Sequence, residues 1–273
     1  MADRRRRNWL LKALAQEEYE SLQPHLEEVD LPLGTLICES GAELEFAYFP
    51  ESCVVSIVAV LEDGMSPEMT TIGPEGVVGL AAMLGKPESF GRYIVQLPGR
   101  ASRIRLVDLQ AAAVEHPRMR DTMFLYLHWV IAGALQLVAC NAVHPVEARC
   151  ARWILMLHDC LEGERLPLTH EFLAVMLGVQ RPTVTVVTRT FQTAGFIRQH
   201  RGAITVTDEA GLEEAACECY GHIRQRLERL FPGHPSAAGV TSTGGPSEEA
   251  QDPCSAECDK DHGVIGAVSH ILQ

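Results

Sequence analysis

The sequence lacks any uninterrupted hydrophobic run that would by itself indicate a membrane span. No stretch approaches about 18 consecutive apolar residues, and the N-terminal segment MADRRRRNWLLKALAQEEYE turns charged too soon to hold the apolar core of a signal peptide. We therefore expect a cytoplasmic protein with no membrane partner. The 273 residues, 47% of them hydrophobic, leave room for about two domains with a sizeable core.

The nine cysteines lack the spacing of a small disulfide-bonded domain, and their number is odd. Reduced thiols are therefore expected. Cys217 and Cys219 are predicted to lie on one helix and to point apart. Cys254, Cys258 and His262 follow at i, i+4 and i+8 in a polar tail, where we expect solvated side chains and no metal site.

Enzyme motifs are also missing from the sequence. It contains no nucleophile elbow, no metal-ligand spacing and no phosphate-binding loop. We therefore expect that the protein is not an enzyme.

Residues 168–206 predict two short helices, a tight turn and a small hairpin. Thr169 stands where an N-cap belongs, and Gly178 ends the first helix. Ala174, Gly178 and Val184 have the spacing of small residue, turn glycine and buried branched residue that a helix-turn-helix requires. Gly195 closes the second helix, and residues 196–206 read as strand, turn and strand. The unit is predicted to be a winged helix.

The charge of this segment favours DNA as its ligand. The side chains predicted to face outward on the second helix are Thr183, Thr185, Thr188 and Arg189. Five arginines between residues 165 and 206 face a single acidic residue, Glu171, in a chain of net charge −13. An alternative remains open, in which the protein is a small-molecule or redox receptor whose winged helix binds protein rather than DNA.

The region from residue 29 to residue 104 has the pattern of an antiparallel β structure. Short apolar or alternating runs are separated by glycine and proline signals, including a predicted hairpin turn at residues 62–64 that leads into a strand at 68–72. Six or more such strands predict a small barrel or jelly roll, whose interior commonly holds a ligand.

One long helix is predicted from Arg118 to Asn141, with two apolar stripes. The first stripe steps by 4, 3, 4, 3, 4 and is predicted to be the dimer seam: Met123, Leu127, Val130, Ala134, Leu137 and Asn141. The second stripe is predicted to pack on the β domain: Phe124, Ile131, Leu135 and Val138. The alternative is a monomer in which both stripes are buried.

The predicted architecture is α+β: an N-terminal antiparallel β-roll like a jelly roll, a long dimerisation helix and a C-terminal winged helix-turn-helix. We expect a β-roll sensor domain at 1–117, the long helix and hinge at 118–144, the winged helix at 145–232 and a disordered tail at 233–273. A single helix is predicted from Glu209 to Phe231.

Three features in this order resemble one known family. They are GVVG at 76–79 in the roll, VEAR at 146–149 after the hinge, and the helix-turn-helix. Over residues 8 to about 231 the chain resembles the Crp/Fnr family of bacterial transcription regulators. The resemblance implies a homodimer that senses an effector and places two recognition helices in successive major grooves of a pseudo-palindromic site on double-stranded DNA. It also implies RNA polymerase as a partner.

The resemblance assigns roles to the recognition helix. The family commonly carries an arginine and a glutamate side by side near its start, and here Arg181 matches the first whereas Pro182 replaces the second. One base preference should therefore differ, because the glutamate would have accepted from cytosine. The complete set of predicted DNA-binding residues is Thr169, Gln180, Arg181, Thr183, Thr185, Arg189, Arg198 and Arg201; in the family, the positions of Gln180 and Thr183 contact phosphate.

The resemblance leaves the effector and any cofactor unidentified. The family's cyclic-nucleotide sensors place a glutamate after the roll's glycine and an arginine-serine pair on the phosphate, whereas Gly79 is followed here by Leu80 and Arg92 is out of register with Ser89. We expect no cyclic AMP binding, and the candidate effector pocket comprises Gly79, Leu80, Ser89, Arg92 and Leu127.

The family's iron-sulfur sensors suggest one further site, and three histidines of the chain suggest another, but the sequence favours neither. An N-terminal cysteine cluster is absent, since the first cysteine is Cys38. Three histidines that could ligate haem, His116, His128 and His144, are expected at helix ends or on the surface.

Overall fold

The structure is a computed structural model that describes residues 7–62, 66–84, 86–160 and 165–232. The predicted disordered tail and the tail residues Cys254, Cys258 and His262 therefore lie outside the described residues. So do residues 63 and 64 of the predicted hairpin turn.

Two short helices open the described chain, α1 (Trp9–Ala13) and α2 (Gln16–Leu22), and a 3-10 turn follows at Gln23–His25. Asn8 caps α1, because its side-chain oxygen accepts a hydrogen bond from the Leu11 amide at 3.0 Å. The amide group of the same side chain donates to the carbonyls of Pro50 and Gly76, at 2.9 and 2.8 Å. A single buried asparagine thus joins the first helix to the β-roll.

Seven strands form the predicted antiparallel roll: β1 (Glu27–Leu31), β2 (Leu36–Cys38), β3 (Phe46–Pro50), β4 (Val54–Val58), β5 (Glu68–Ile72), β6 (Arg92–Leu97) and β7 (Gly99–Arg105). They make one sheet in the order β1-β7-β3 and another in the order β2-β6-β4-β5. The predicted pairing of β4 with β5 is confirmed, with Val55 opposite Ile72.

Two helices connect the roll to the rest of the chain, α3 (Leu106–Glu115) and α4 (Pro117–Val143). Pro117 opens α4 because a first-turn residue needs no amide hydrogen. His116 lies at this helix end without a side-chain capping hydrogen bond, and His128 is exposed, as expected.

The structure contradicts the assignment of the two stripes of α4 for the seam residues that it buries, whereas Val130 and Ala134 are half-buried and Asn141 is exposed. Met123, Leu127 and Leu137, which were predicted to form the dimer seam, are at most 8% exposed within the single chain. The exposed large side chains of α4 include the second stripe: Phe124, Ile131, Leu135 and Val138. The stripes are adjacent on the helix and both are apolar, so the orientation of α4 depends on the surfaces that pack against it.

The surface of α4 is unusually apolar. Among the described residues, this helix is long and apolar enough to cross a membrane by length and composition, with a mean hydropathy of 1.7 over its best window and only 28% of that window buried. Packing on the roll accounts for the face that holds Met123 and Tyr126. This packing does not account for the exposed apolar side chains on the opposite face of α4.

The second half of the chain is a winged helix followed by two helices. It consists of α5 (Val146–Asp159), α6 (His170–Leu177), α7 (Arg181–Ala194), β8 (Ile197–His200), β9 (Ala203–Val206), α8 (Glu209–Ala215) and α9 (Cys219–Leu230). The single helix predicted from Glu209 to Phe231 is wrong, because the backbone is extended at Ala216 and the chain turns there before α9 begins.

The helix α9 runs back along α4 to the roll. Its Leu227, together with Phe231 just after it, shares a core cluster with Met123 and Tyr126 of α4. On the opposite side, Trp153 of α5 donates to the buried carboxylate of Glu68 at 3.0 Å. The second half of the chain therefore contacts the preceding elements through both α9 and α5, and the predicted domain boundaries stay a prediction.

Candidate nucleic-acid interface

Local sequence signals build the helix-turn-helix as predicted. The Thr169 hydroxyl accepts from the Phe172 amide at 3.1 Å and caps α6. Gly178 ends the helix at φ +64°, a conformation that favours glycine, while Ala174 and Val184 are buried where α6 and α7 cross. The predicted set of small residue, turn glycine and branched residue is confirmed.

The exposed face of the recognition helix α7 carries the predicted cationic and hydroxyl side chains. Arg181, Thr185 and Arg189 are exposed and lie one helical turn apart, and Thr183 is half-buried beside them. Thr188 is a correction, since it was predicted to face outward but is 0% exposed. Its hydroxyl donates to the Val184 carbonyl at 2.9 Å, which satisfies the group inside the domain.

Arg181 has an acidic neighbour in the free protein. Its Nε lies 3.6 Å from Oε2 of Glu171 on α6, and both side chains are well over half exposed. Exposed pairs of this kind are weak, typically about 0.2–1 kcal/mol, so a phosphate or a base can replace the carboxylate at little cost. Gln180, also exposed, occupies the N-cap position immediately before Arg181.

The hairpin β8–β9 forms the predicted wing. Its turn contains Gly202 at φ +74°, and His200 pairs with Ala203. Arg198 and Arg201 are both exposed on this hairpin. The wing therefore presents two guanidinium groups to solvent next to the recognition helix.

His170 is a residue of this interface that the sequence analysis missed. Its Nδ1 lies 3.1 Å from the Thr185 hydroxyl, and its Nε2 lies 2.9 Å from the side-chain oxygen of Gln199 and 3.2 Å from the Thr188 hydroxyl. One imidazole thus joins the first helix, the recognition helix and the wing. No local pattern could reveal it, because its partners are 15 to 29 residues away.

A cleft of about 350 Å³ opens between the start of the recognition helix and the wing. Its lining includes Thr169, His170, Arg181, Gln199 and His200. The cleft brings the predicted contacts Thr169 and Arg181 together on one surface, beside the missed histidine.

The five candidate effector residues lie in three different environments. Ser89 donates to the carbonyl of Glu39, and Arg92 Nε lies 2.8 Å from the carboxylate of that same residue. Leu80 and Leu127 instead belong to the core of the roll and α4. Gly79 has φ +91° and lies against the backbone of Phe46. The effector pocket itself stays a prediction.

Comparisons with known proteins agree on the fold and on the helix-turn-helix region. The profile of the Crp-like helix-turn-helix domain matches residues 148–215, whereas no curated protein matches the sequence. FixK2 from Bradyrhizobium japonicum is 16% identical with a TM-score of 0.58, covering 70% of this chain and 98% of its own.

Two further solved structures show the same fold. A putative transcriptional regulator of the Crp/Fnr family from Eubacterium rectale is 17% identical with a TM-score of 0.58, covering 76% of this chain and 96% of its own. A Crp/Fnr regulator from Thermus thermophilus is 25% identical with a TM-score of 0.53, covering 70% of this chain and 98% of its own.

Proposed function

The chain belongs to the Crp/Fnr family of transcription regulators, and on that premise we propose that two copies bind one pseudo-palindromic site on double-stranded DNA. The observation that carries the proposal is the stripe of Arg181, Thr185 and Arg189 on the exposed face of α7, flanked by the wing arginines. A cationic surface of this shape suits a major groove and the phosphates on either side of it. The protein-binding alternative gains no support from the comparisons.

The exposed apolar stripe of α4 supports the homodimer. Phe124, Ile131, Leu135 and Val138 are 42%, 49%, 65% and 68% exposed and recur at intervals of 7, 4 and 3 residues. This spacing is that of a coiled-coil seam, and an apolar patch of this kind is unfavourable in water. A twofold contact between two α4 helices would bury the patch on both copies at once.

The side chains of the interface divide into two classes of DNA contact. Arg181 stands at the first turn of the recognition helix, where a guanidinium can donate to both acceptors of a guanine. Arg198 and Arg201 lie on the wing, which in this arrangement runs over the sugar-phosphate backbone. We assign base reading to Arg181 and phosphate binding to the wing arginines.

Control by an effector in the roll and long-helix region completes the proposal. The hydrogen bond from Trp153 of α5 to Glu68 of β5 joins the roll to the helix that opens the winged helix, so a change in β5 reaches the DNA-binding segment directly. We further propose a cytoplasmic regulator that contacts RNA polymerase and has no enzymatic activity.

The test begins with selection of fragments of genomic DNA that the purified protein binds. Binding to the selected duplex and to a scrambled duplex is then titrated at several salt concentrations. Arg181→Ala should cost roughly 1 to 3 kcal/mol on the selected duplex and relax preference at one position per half-site. Arg201→Ala should weaken both duplexes alike and reduce the salt slope by about one.

Arg229→Ala is the matched control, because it removes the same charge from an exposed position on α9 outside the winged helix. It should leave both duplexes and the salt slope unchanged. Equal losses on both duplexes for Arg181→Ala would make Arg181 a phosphate contact. A selection that enriches no sequence would refute specific DNA binding.

A further inference from the structure

Four potential metal ligands from two distant parts of the chain meet at the C-terminal end of α4. Cys140 and His144 lie one turn apart near the end of this helix, and Cys217 and Cys219 lie at the junction of α8 and α9. Their four ligand atoms all lie within 4.8 Å of one another. The Sγ atoms of Cys140 and Cys217 are 3.5 Å apart, and Cys219 Sγ is 3.6 Å from His144 Nδ1.

This arrangement corrects the prediction that Cys217 and Cys219 point apart on one helix. The chain is extended at Ala216, so that Cys217 precedes α9 and only Cys219 lies within it. Both thiols are at most 7% exposed and face α4. His144, expected at the surface or at a helix end, caps α4 and has one ring nitrogen directed at the thiols.

The distances suit a single tetrahedral ion. With metal–sulfur bonds of about 2.3 Å, the ligands of a tetrahedral zinc site lie about 3.7 Å from one another. The two measured distances of 3.5 and 3.6 Å are close to this value. Three cysteines and one histidine are also a recurrent ligand set of structural zinc sites.

The surroundings orient the ligands as a metal site requires. His144 Nε2 lies 3.1 Å from the carboxylate of Glu218, which leaves Nδ1 as the nitrogen that faces the thiols. A carboxylate on the distal nitrogen is the usual partner of a metal-binding histidine. Gln136 Nε2 donates to Cys219 Sγ at 3.2 Å and holds the fourth ligand in place.

Charge balance supports the same assignment. Three thiolates and one divalent cation carry a net charge of −1, which a buried site must compensate. Arg152 is 3% exposed and lies within electrostatic range of Cys140 and Cys217, and its buried Nε has no hydrogen-bond partner in the described structure.

We propose that Cys140, His144, Cys217 and Cys219 bind one divalent ion of the zinc class in tetrahedral geometry. Binding releases the thiol protons to solvent and needs no oxidant or reductant. The ion joins the end of α4 to the start of α9, beside the break between Val143 and Val146 at which the chain enters the winged helix. It thereby fixes the C-terminal helices against the helix that carries the proposed dimer stripe.

The experiment uses the full chain with Cys254→Ser and Cys258→Ser, which remove the thiols of the tail. The reduced protein is loaded with Zn²⁺ or Co²⁺, dialysed and subjected to elemental analysis. We expect one ion per chain, and for Co²⁺ the thiolate charge-transfer bands and intense visible absorption of a tetrahedral site. Cys217→Ser and His144→Ala should each retain well below one ion per chain.

Two variants make the test specific. Cys38→Ser, a control in the roll whose hydroxyl can replace the thiol as donor to the Ala42 carbonyl, should retain one ion per chain. Glu218→Gln keeps all four ligands but replaces the carboxylate beside His144 with a neutral amide. The zinc dissociation constant should therefore rise about 10- to 100-fold, measured by competition with a chromophoric chelator. His144 and Glu218 are partly exposed, so His144→Ala and Glu218→Gln should keep the circular dichroism spectrum of the parent.

Retention of less than half an ion by the reduced parent chain would overturn the proposal. So would equal retention by the parent and Cys217→Ser. A parent chain that binds no ion but loses two hydrogens in its mass through a bond between Cys140 and Cys217 would instead identify a disulfide pair, which also overturns it. These measurements need no DNA, so their failure is distinguishable from a failure of the proposed DNA binding.

Discussion

Leu135 offers the sharpest test of the dimer stripe on α4. The side chain is 65% exposed in the single chain, although full burial of a leucine is worth about 1.5–3 kcal/mol. Burying the exposed two-thirds in a dimer would contribute about 1–2 kcal/mol per copy, and the twofold axis doubles this to about 2–4 kcal/mol. Leu135→Ala should therefore raise the dimer dissociation constant roughly 30- to 1,000-fold.

Sedimentation equilibrium over a range of protein concentrations measures this constant. Val114→Ala is the matched control, because Val114 is 77% exposed on α3 and lies off the stripe; it should leave the constant unchanged. Met123→Ala tests the corrected orientation, since Met123 is 0% exposed. That variant should lower the free energy of unfolding by about 2–5 kcal/mol rather than weaken a contact between copies.

The reasoning would be refuted by a Leu135→Ala protein with the dissociation constant of the parent. It would also be refuted if Val114→Ala weakened the dimer as much as Leu135→Ala, because a general effect of surface composition would then explain both. A parent chain that is monomeric at all concentrations would remove the dimer from the proposal.

Two further predictions concern buried carboxyl groups. Trp153→Phe removes a hydrogen bond to the buried Glu68 and should lower the free energy of unfolding by about 1–3 kcal/mol, measured by denaturant titration. Trp129→Phe is the control and should cost less, because the hydrogen bond of Trp129 to the Ile223 carbonyl is 3.4 Å long and only half-buried. Burial raises the pKa of Asp159 to about 7 against the opposing charge of Arg224. Protonated Asp159 stabilises the fold fully below about pH 4, and this contribution is lost as the pH rises to about 7. The free energy of unfolding should therefore decrease less for Asp159→Asn than for the parent as the pH rises from about 4 to about 7. An identical decrease in both proteins would contradict the assignment.

The sequence by itself determined the elements whose signals are local. Thr169, Gly178 and Gly195 mark helix ends through a capping hydroxyl and two residues at positive φ, and the structure has them in those roles. The short alternating runs likewise predicted the antiparallel strands of the roll. Such signals are readable because a cap or a turn depends on a few neighbouring residues.

The tertiary structure decided which face of α4 is buried. Both stripes are apolar, and they differ by a rotation of about 100° around the helix axis, so periodicity cannot separate them. Gly76 helps to select the orientation: a Cβ there would overlap the hydroxyl group and ring of Tyr126, so this α4 side chain occupies the space of the missing side chain. The observed rotation of the helix places Tyr126 over a glycine, where the roll has room for its ring.

The thiol cluster depended on tertiary structure to a still greater degree. Cys140 and Cys217 are separated by 77 residues, and no local pattern links them. They meet because α9 runs back along α4 and because the chain is extended at Ala216, which turns Cys217 inward. A helix continuing through this point would have pointed Cys217 and Cys219 in different directions, so the break between α8 and α9 creates the four-ligand arrangement.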